Sequence, residues 1–244
     1  MSSGNVDLAL RFFDLLARGE IDAGLALASD DFLLDRSRSN APWRGVTRGR
    51  TEARREYATF IEGARDVSEN PTWEVTASRS LGSDLVGLAT RMRVRGRASG
   101  IEVDAYGGWL ARIADGRMTE AVLHQSFDDA LLDGRRRLLD RAHLYFVCEA
   151  RPSGSDPRPL LEAALRGGVD IVQLRDKEID DEHLVAAARA FREAADAHDR
   201  LFFLNDRPDL VAACDADGVH VGQDDVPVAE ARRIAGPAVA VGLS

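Results

Sequence analysis

The hydrophobic rhythm of this chain changes near residue 135, and one layer architecture does not accommodate both halves. Before that point a helical stripe gives way to strict alternation. After it, short apolar runs take turns with helical stretches. Helices followed by alternating strands describe an α+β fold with helices on one face of a sheet. Near-continuous apolar strands separated by helices describe parallel strands buried on both faces. A length of 244 residues leaves room for two ordinary domains.

In the first half, Val6, Leu8, Leu10, Phe12, Phe13, Leu15 and Leu16 predict a helix, with Asn5 or Asp7 as its cap. A short helix fits Ile21 to Ala28, a strand Phe32 to Asp35, and a further helix Thr51 to Ala64. The period then becomes two. Val86, Leu88, Met92 and Val94 share one face of a strand, and Arg91, Arg93, Arg95 and Arg97 the other. Ile101 to Ile113 alternates in turn, with Glu102 and Asp104 on its polar side, and Ala98-Ser99-Gly100 serves as the hairpin turn. Opposed Arg and acidic side chains are expected to pair across these strands. A last strand runs from Met118 to Phe127. The arginine row reads as a solvated sheet face. Asp35, Trp43, Tyr106 and His124 are candidate pocket residues, His124 reading first as a structural histidine.

The order of elements resembles the SnoaL-like branch of the nuclear-transport-factor-2 superfamily, and two strings carry the likeness: Pro42-Trp43-Arg44-Gly45-Val46-Thr47-Arg48-Gly49 and Ser99-Gly100-Ile101-Glu102-Val103. The resemblance implies a cone-like curved sheet around a pocket, a fold that hosts cyclases, isomerases and plain binding domains, so fold alone does not assign a function. Domain boundaries are expected at 1–134 and 142–244, with 135–141 a solvated, arginine-rich connector able to form a short helix.

In the second half, strands are expected at Leu144–Cys148, Asp170–Leu174, Leu201–Leu204, Gly218–Val221 and Ala238–Leu243, with helices between them. Such repeats build either a doubly wound sheet or a barrel. No Gly-x-Gly-x-x-Gly turn follows the first strand, which weakens a dinucleotide reading. Polar groups gather at the strands' C-terminal ends: Gln173, Arg175 and Lys177 after the second, Asn205 and Asp206 after the third, Gln223 and Asp225 after the fourth, and Ser244 after the fifth. Ligands bind at that end in both architectures. Of 32 basic residues only Lys177 is lysine, which marks a position suited to a compact ammonium. Arg175 can grip phosphate oxygens in a fork, and Asp206 with Asp225 supplies hard oxygen ligands for Mg²⁺. His220 reads as a core histidine.

The strings Val169-Asp170-Ile171-Val172-Gln173-Leu174-Arg175-Asp176-Lys177, Phe203-Leu204-Asn205-Asp206-Arg207 and Asp217-Gly218-Val219-His220-Val221-Gly222-Gln223-Asp224-Asp225 closely resemble thiamine-phosphate synthase. That resemblance implies a (β/α)8 TIM barrel and a transferase that couples hydroxymethylpyrimidine diphosphate to thiazole phosphate. It implies substrate contacts from Gln173, Leu174, Arg175, Asp176, Lys177, Asn205 and Ser244, catalytic roles for Arg175 and Lys177, and Mg²⁺ on Asp206 and Asp225. The match ends at the fifth strand, so a truncated barrel with an exposed parallel edge, inactive as a synthase, is expected. Two readings compete: a TenI-type thiazole tautomerase, and a SnoaL-like binding or cyclase domain with a remnant barrel.

Net charge of -9 argues against a basic nucleic-acid face, and two cysteines exclude a disulfide framework. The first residues are neither basic nor apolar, and no run reaches membrane-spanning length. The expectation is a soluble cytoplasmic protein that binds phosphorylated small molecules and neither nucleic acid nor membrane, with a homodimer expected by analogy.

Overall fold

A computed structural model describes residues 2–40, 44–68, 70–151 and 154–244. The chain divides into two compact units, Met1–Gly134 and Arg135–Ser244.

The first unit begins with helices α1 (Ser2–Ala17) and α2 (Ile21–Leu25). Strands β1 (Ala28–Asp35) and β2 (Val46–Arg48), helix α3 (Arg50–Val67) and strands β3 (Thr72–Leu81), β4 (Leu85–Arg95), β5 (Glu102–Ala114) and β6 (Arg117–His124) follow. Helix α4 (Phe127–Leu139) supplies the last residues of this unit and the first of the next. The six strands form one sheet in the order β2-β1-β6-β5-β4-β3. Register shifts between Val75 and Ala77, between Arg112 and Ile113, and between Ala28 and Leu33 bend it.

Helix α1 lays Ala9, Phe12, Phe13 and Leu16 onto the inner face. The Phe13 ring lies 5.2 Å from that of Trp109 and 5.6 Å from that of Trp73. Phe12, Phe13 and Leu16 are at most 1% exposed, and burying each contributes about 1.5–3 kcal/mol. The outer face takes α4, whose Gly134 stands where a Cβ would meet Leu81 Cδ1 at 2.5 Å.

The expected cross-strand pairs are present. Arg93 faces Asp104 and Arg95 faces Glu102 in register, and Arg93 Nε donates to Asp104 Oδ1 at 2.9 Å. Two features differ from the alternation pattern. Strand β3 matches no expected strand, because the shift at Val75/Ala77 interrupts its period of two. Strand β1 pairs β6 in parallel, so the sheet is mixed rather than a pure antiparallel meander.

The second unit is a series of βα repeats: β7 (Tyr145–Cys148), α5 (Arg158–Arg166), β8 (Ile171–Leu174), α6 (Asp181–Ala197), β9 (Leu201–Asn205), α7 (Val211–Cys214), β10 (Gly218–Val221), α8 (Val228–Ala235) and β11 (Ala240–Leu243). All neighbours pair in parallel, in the order β11-β10-β9-β8-β7. Strictly sequential order is that of a (β/α)8 barrel, whereas a doubly wound sheet reverses at a switch point. Helix α6 starts cleanly because Asp180 caps it, its Oδ1 accepting from the His183 N–H at 3.0 Å.

One face of this sheet packs against the helices through Val172, Leu174, Phe202, Leu204, Val219 and Val221. The other carries Ile171, Leu201, Phe203 and Ala240, with Leu138, Leu139 and Ala142 against them. Gly218 is required on that face, since a Cβ there would sit 2.3 Å from the Phe203 ring. The edge strands leave apolar side chains open: Tyr145 is 43%, Val147 47% and Leu243 58% exposed.

The expected solvated connector is corrected by the structure. Residues up to Leu139 are helical, and Arg135 is 3% exposed. Its guanidinium pairs with Asp217, which Arg192 Nη1 also reaches at 2.7 Å. Asp217 additionally accepts from the Phe202 N–H at 3.1 Å. A buried carboxylate must be paired to stay charged, which accounts for a buried arginine in an otherwise polar run. No helix among the described residues is long and apolar enough to cross a membrane.

Candidate functional site

Strands β8, β9 and β10 end side by side, and their last residues turn polar together. Gln173, on the face opposite the helices, is 3% exposed and donates from Nε2 to Asn205 Oδ1 at 3.1 Å. Asn205 Nδ2 donates in turn to Asp206 Oδ2 at 2.5 Å. Asp206 adopts a left-handed backbone, φ 57°, and its N–H donates to the His220 carbonyl at 2.8 Å. Strain of this kind at a polar strand end persists only where neighbours hold it in place.

Asp225 comes from the loop after β10, where its Oδ2 accepts from the Gly222 N–H at 2.8 Å. Its carboxyl is hydrogen-bonded to that of Asp206. Burial and the neighbouring Asp225 push the Asp206 carboxyl up, against the pull of Asn205 and Lys177. The Gly222 N–H and the bond from Asp206 hold Asp225 below the usual carboxylate range, helped by Lys177 and Arg175. The two carboxyls thus shift in opposite directions, Asp206 up and Asp225 down. Arg175 and Lys177 are exposed, and both bear electrostatically on this pair. The chain leaves the strand after Leu174 and turns, so Arg175 and Lys177 lie on the turn that follows it.

The structure separates two of the expected contact residues from this group. Leu174 is 1% exposed and belongs to the helix-side core. Asp176 turns back, its Oδ2 accepting from the Ala150 N–H at 3.3 Å. The core assignment of His220 is also corrected: it is partly exposed, with Nε2 2.9 Å from Ser244 Oγ. Arg207, beside Asp206, is engaged by Asp181 and Asp209 instead of facing the group. Among the described residues no cluster of three or more His, Cys, Asp or Glu is set up for a metal; the site offers a carboxylate pair.

In the first unit, Trp43 lies outside the described residues. Tyr106 lines a cleft there. Asp35 does not; it closes a turn by accepting from the Ser37 N–H at 2.8 Å. His124 is 5% exposed, with Nε2 3.5 Å from Asp133 Oδ2, and does not line that cleft.

Comparison with known proteins divides the chain in the same place. Residues 144–244 match the thiamine monophosphate synthase family, and residues 9–121 match the SnoaL-like domain family. A thiamine-phosphate synthase from Thermobifida fusca is 47% identical over 109 residues, covering 45% of this chain and 50% of that protein. One from Saccharopolyspora erythraea is 46% identical over 116 residues, covering 46% and 52%. The chain thus spans about half the length of these relatives. Among solved structures, a thiamine phosphate pyrophosphorylase from Pyrococcus furiosus aligns with 30% identity over 41% of this chain and 48% of that one, TM-score 0.36. An NTF2-like protein from Burkholderia pseudomallei aligns with 14% identity over 52% and 95%, TM-score 0.42. Residues 9–121 of this chain are similar to the SnoaL-like domain family, and residues 144–244 are similar to thiamine-phosphate synthase.

Proposed function

We propose that this chain acts in the thiamine-phosphate synthase reaction and that its second unit holds the diphosphate end of the substrate. One observation carries the reading: two cations bear on a pair of neighbouring carboxyls where three consecutive parallel strands end. In this reading Lys177 and Arg175 take the phosphate oxygens, and Gln173 and Asn205 hold the pyrimidine or its phosphates. Ser244, oriented by His220, adds a donor near the pyrophosphate.

The Asp206–Asp225 pair fits Mg²⁺. Two hard carboxylates side by side suit a divalent cation, and Mg²⁺ typically takes one or two carboxylates plus substrate phosphates. Bound there, Mg²⁺ would supply charge neutralisation for the departing pyrophosphate. The chemistry breaks the methylene C–O bond, the electron pair leaving with pyrophosphate, and forms a C–N bond from the thiazole nitrogen. Arg175 and Lys177 stabilise the charge that develops on the leaving group. A cytoplasmic location and a homodimer accompany this reading.

The test is calorimetric titration of the chain with hydroxymethylpyrimidine diphosphate, with and without Mg²⁺, followed by chromatographic detection of thiamine phosphate once thiazole phosphate is added. Mg²⁺-dependent binding supports the assignment. Binding indifferent to Mg²⁺, or absent, removes it. The tautomerase reading is weaker because an isomerase has no pyrophosphate for the cations and carboxyl pair to hold.

A further inference from the structure

Asp176 stands in the chain between Arg175 and Lys177, the two cations of the rim. A carboxylate there works against a bound anion, because it offsets the positive charge on either side of it. Both of its oxygens are committed to backbone donors. Oδ2 accepts from the Ala150 N–H at 3.3 Å, and Oδ1 accepts from the Glu178 N–H at 3.2 Å. The first bond crosses to the loop that follows β7. The second closes a turn within the loop that follows β8.

These loops leave neighbouring strands. Cys148 and Leu174, the last residues of β7 and β8, are in direct register, and the Arg175 N–H donates to the Cys148 carbonyl at 2.9 Å. Strand pairing ends there, and the Asp176 carboxylate continues the connection between the two loops. Ala150 is 1% exposed and packs in the helix-side core, so the anchor is itself fixed. Arg175 and Lys177 are exposed, and long side chains of this kind lose rotamer freedom when they grip a ligand. A backbone held in advance confines where their charged ends can lie, which is preorganisation. Lys177 bears on both Asp206 and Asp225, and Arg175 on Asp225.

We infer that Asp176 is a positioning residue of the diphosphate site: it fastens the β8 loop to the β7 loop and so fixes the backbone that carries Arg175 and Lys177, without touching the substrate. What the two cations hold rests on the synthase reading; how they are held rests on the two loops. Positioning and bystander charge predict opposite signs. Losing the fastening loosens the cations and weakens anion binding, whereas losing a bystander negative charge strengthens it.

The test is calorimetric titration of the full chain with pyrophosphate in the presence of Mg²⁺ at fixed ionic strength. Asp176→Ala is expected to bind about tenfold more weakly than wild type, the scale of one hydrogen bond to a charged acceptor. Asp176→Asn removes the same charge but keeps one carbonyl acceptor, and is expected to fall between them. In a Lys177→Ala background the loss caused by Asp176→Ala is expected to shrink to about threefold or less, because a residue that acts through Lys177 has less to act on once it is gone. Pyrophosphate bound by Asp176→Ala as tightly as by wild type, or more tightly, overturns the inference and leaves the synthase reading standing. An undiminished loss in the Lys177→Ala background does the same. No pyrophosphate binding by the wild type removes the reading and the inference together. If circular dichroism shows that Asp176→Ala does not fold, Asp176→Asn decides: weaker binding supports the inference, and equal or tighter binding overturns it.

Discussion

Arg135 Nη2 lies 3.2 Å from Asp217 Oδ1, and both side chains are 4% exposed. Arg192 approaches the same carboxylate from a second direction, so one buried acid holds two guanidinium groups. Removing its charge takes away the buried carboxylate that both guanidinium groups share, leaving Arg192 its more exposed partner Asp196. Asp217→Asn is expected to destabilise the second unit by about 3–5 kcal/mol, read as a lowered urea midpoint at neutral pH.

The same residue sets an acid limit. Burial alone would raise the Asp217 carboxyl, but Arg192 and Arg135 override it and hold it below the ordinary range. Its folded value is then below its unfolded one. The contribution is complete above the unfolded value, about 3.9, and is lost as pH falls through the folded value. The stability difference between wild type and Asp217→Asn should therefore be constant at neutral pH and shrink below about pH 4. Urea titrations at several pH values check this; a difference that grows on acidification is incompatible with it.

At the rim, Asp206→Asn and Asp206→Ala separate charge from backbone. Asn tolerates the left-handed conformation at φ 57° and Ala does not. Asn is expected to retain stability while eliminating Mg²⁺ enhancement of diphosphate binding. Ala is expected to do the same and lose about 1 kcal/mol besides. Paired denaturation and calorimetric titrations distinguish the two.

Lys177 is exposed and makes a point-charge contribution to the carboxyl pair. Lys177→Ala should lower pyrophosphate affinity about tenfold at fixed ionic strength without changing the unfolding midpoint, and Lys177→Arg should restore it only in part, because a planar fork does not replace a compact ammonium. Full recovery by arginine in a calorimetric titration would show that any positive charge serves.

Gly218→Ala would place a Cβ 2.3 Å from the Phe203 ring. Both residues lie on neighbouring parallel strands in direct register, so neither backbone can retreat alone. A loss of about 1–3 kcal/mol is expected from overpacking, measured by thermal unfolding.

What could be read from the sequence depended on how local the cause was. The Arg93–Asp104 and Arg95–Glu102 pairs follow from one hairpin turn and two alternating strands, so their register was legible. Gln173, Asn205 and Asp225 sit at strand ends that apolar runs already delimit, and parallel pairing brings those ends together. Strand β3 was hidden by a bulge that breaks its period. The partners of Asp217 were hidden because Arg135 and Arg192 belong to distant helices, with nothing local to mark them. Leu174 and Asp176 share a string with real rim residues, yet one faces the core and the other closes a turn, and only geometry tells them apart.

The sequential order of β7 to β11 has an evolutionary consequence. Each strand's spatial neighbours are its neighbours along the chain, so the residues from Gln173 to Asp225 form a contiguous cassette. A recombination event can move such a block whole, with its carboxyl pair and both cations in mutual register, onto a different leading domain. Joining a SnoaL-like region to it requires only a graft at one end of that block, without interleaving the two folds.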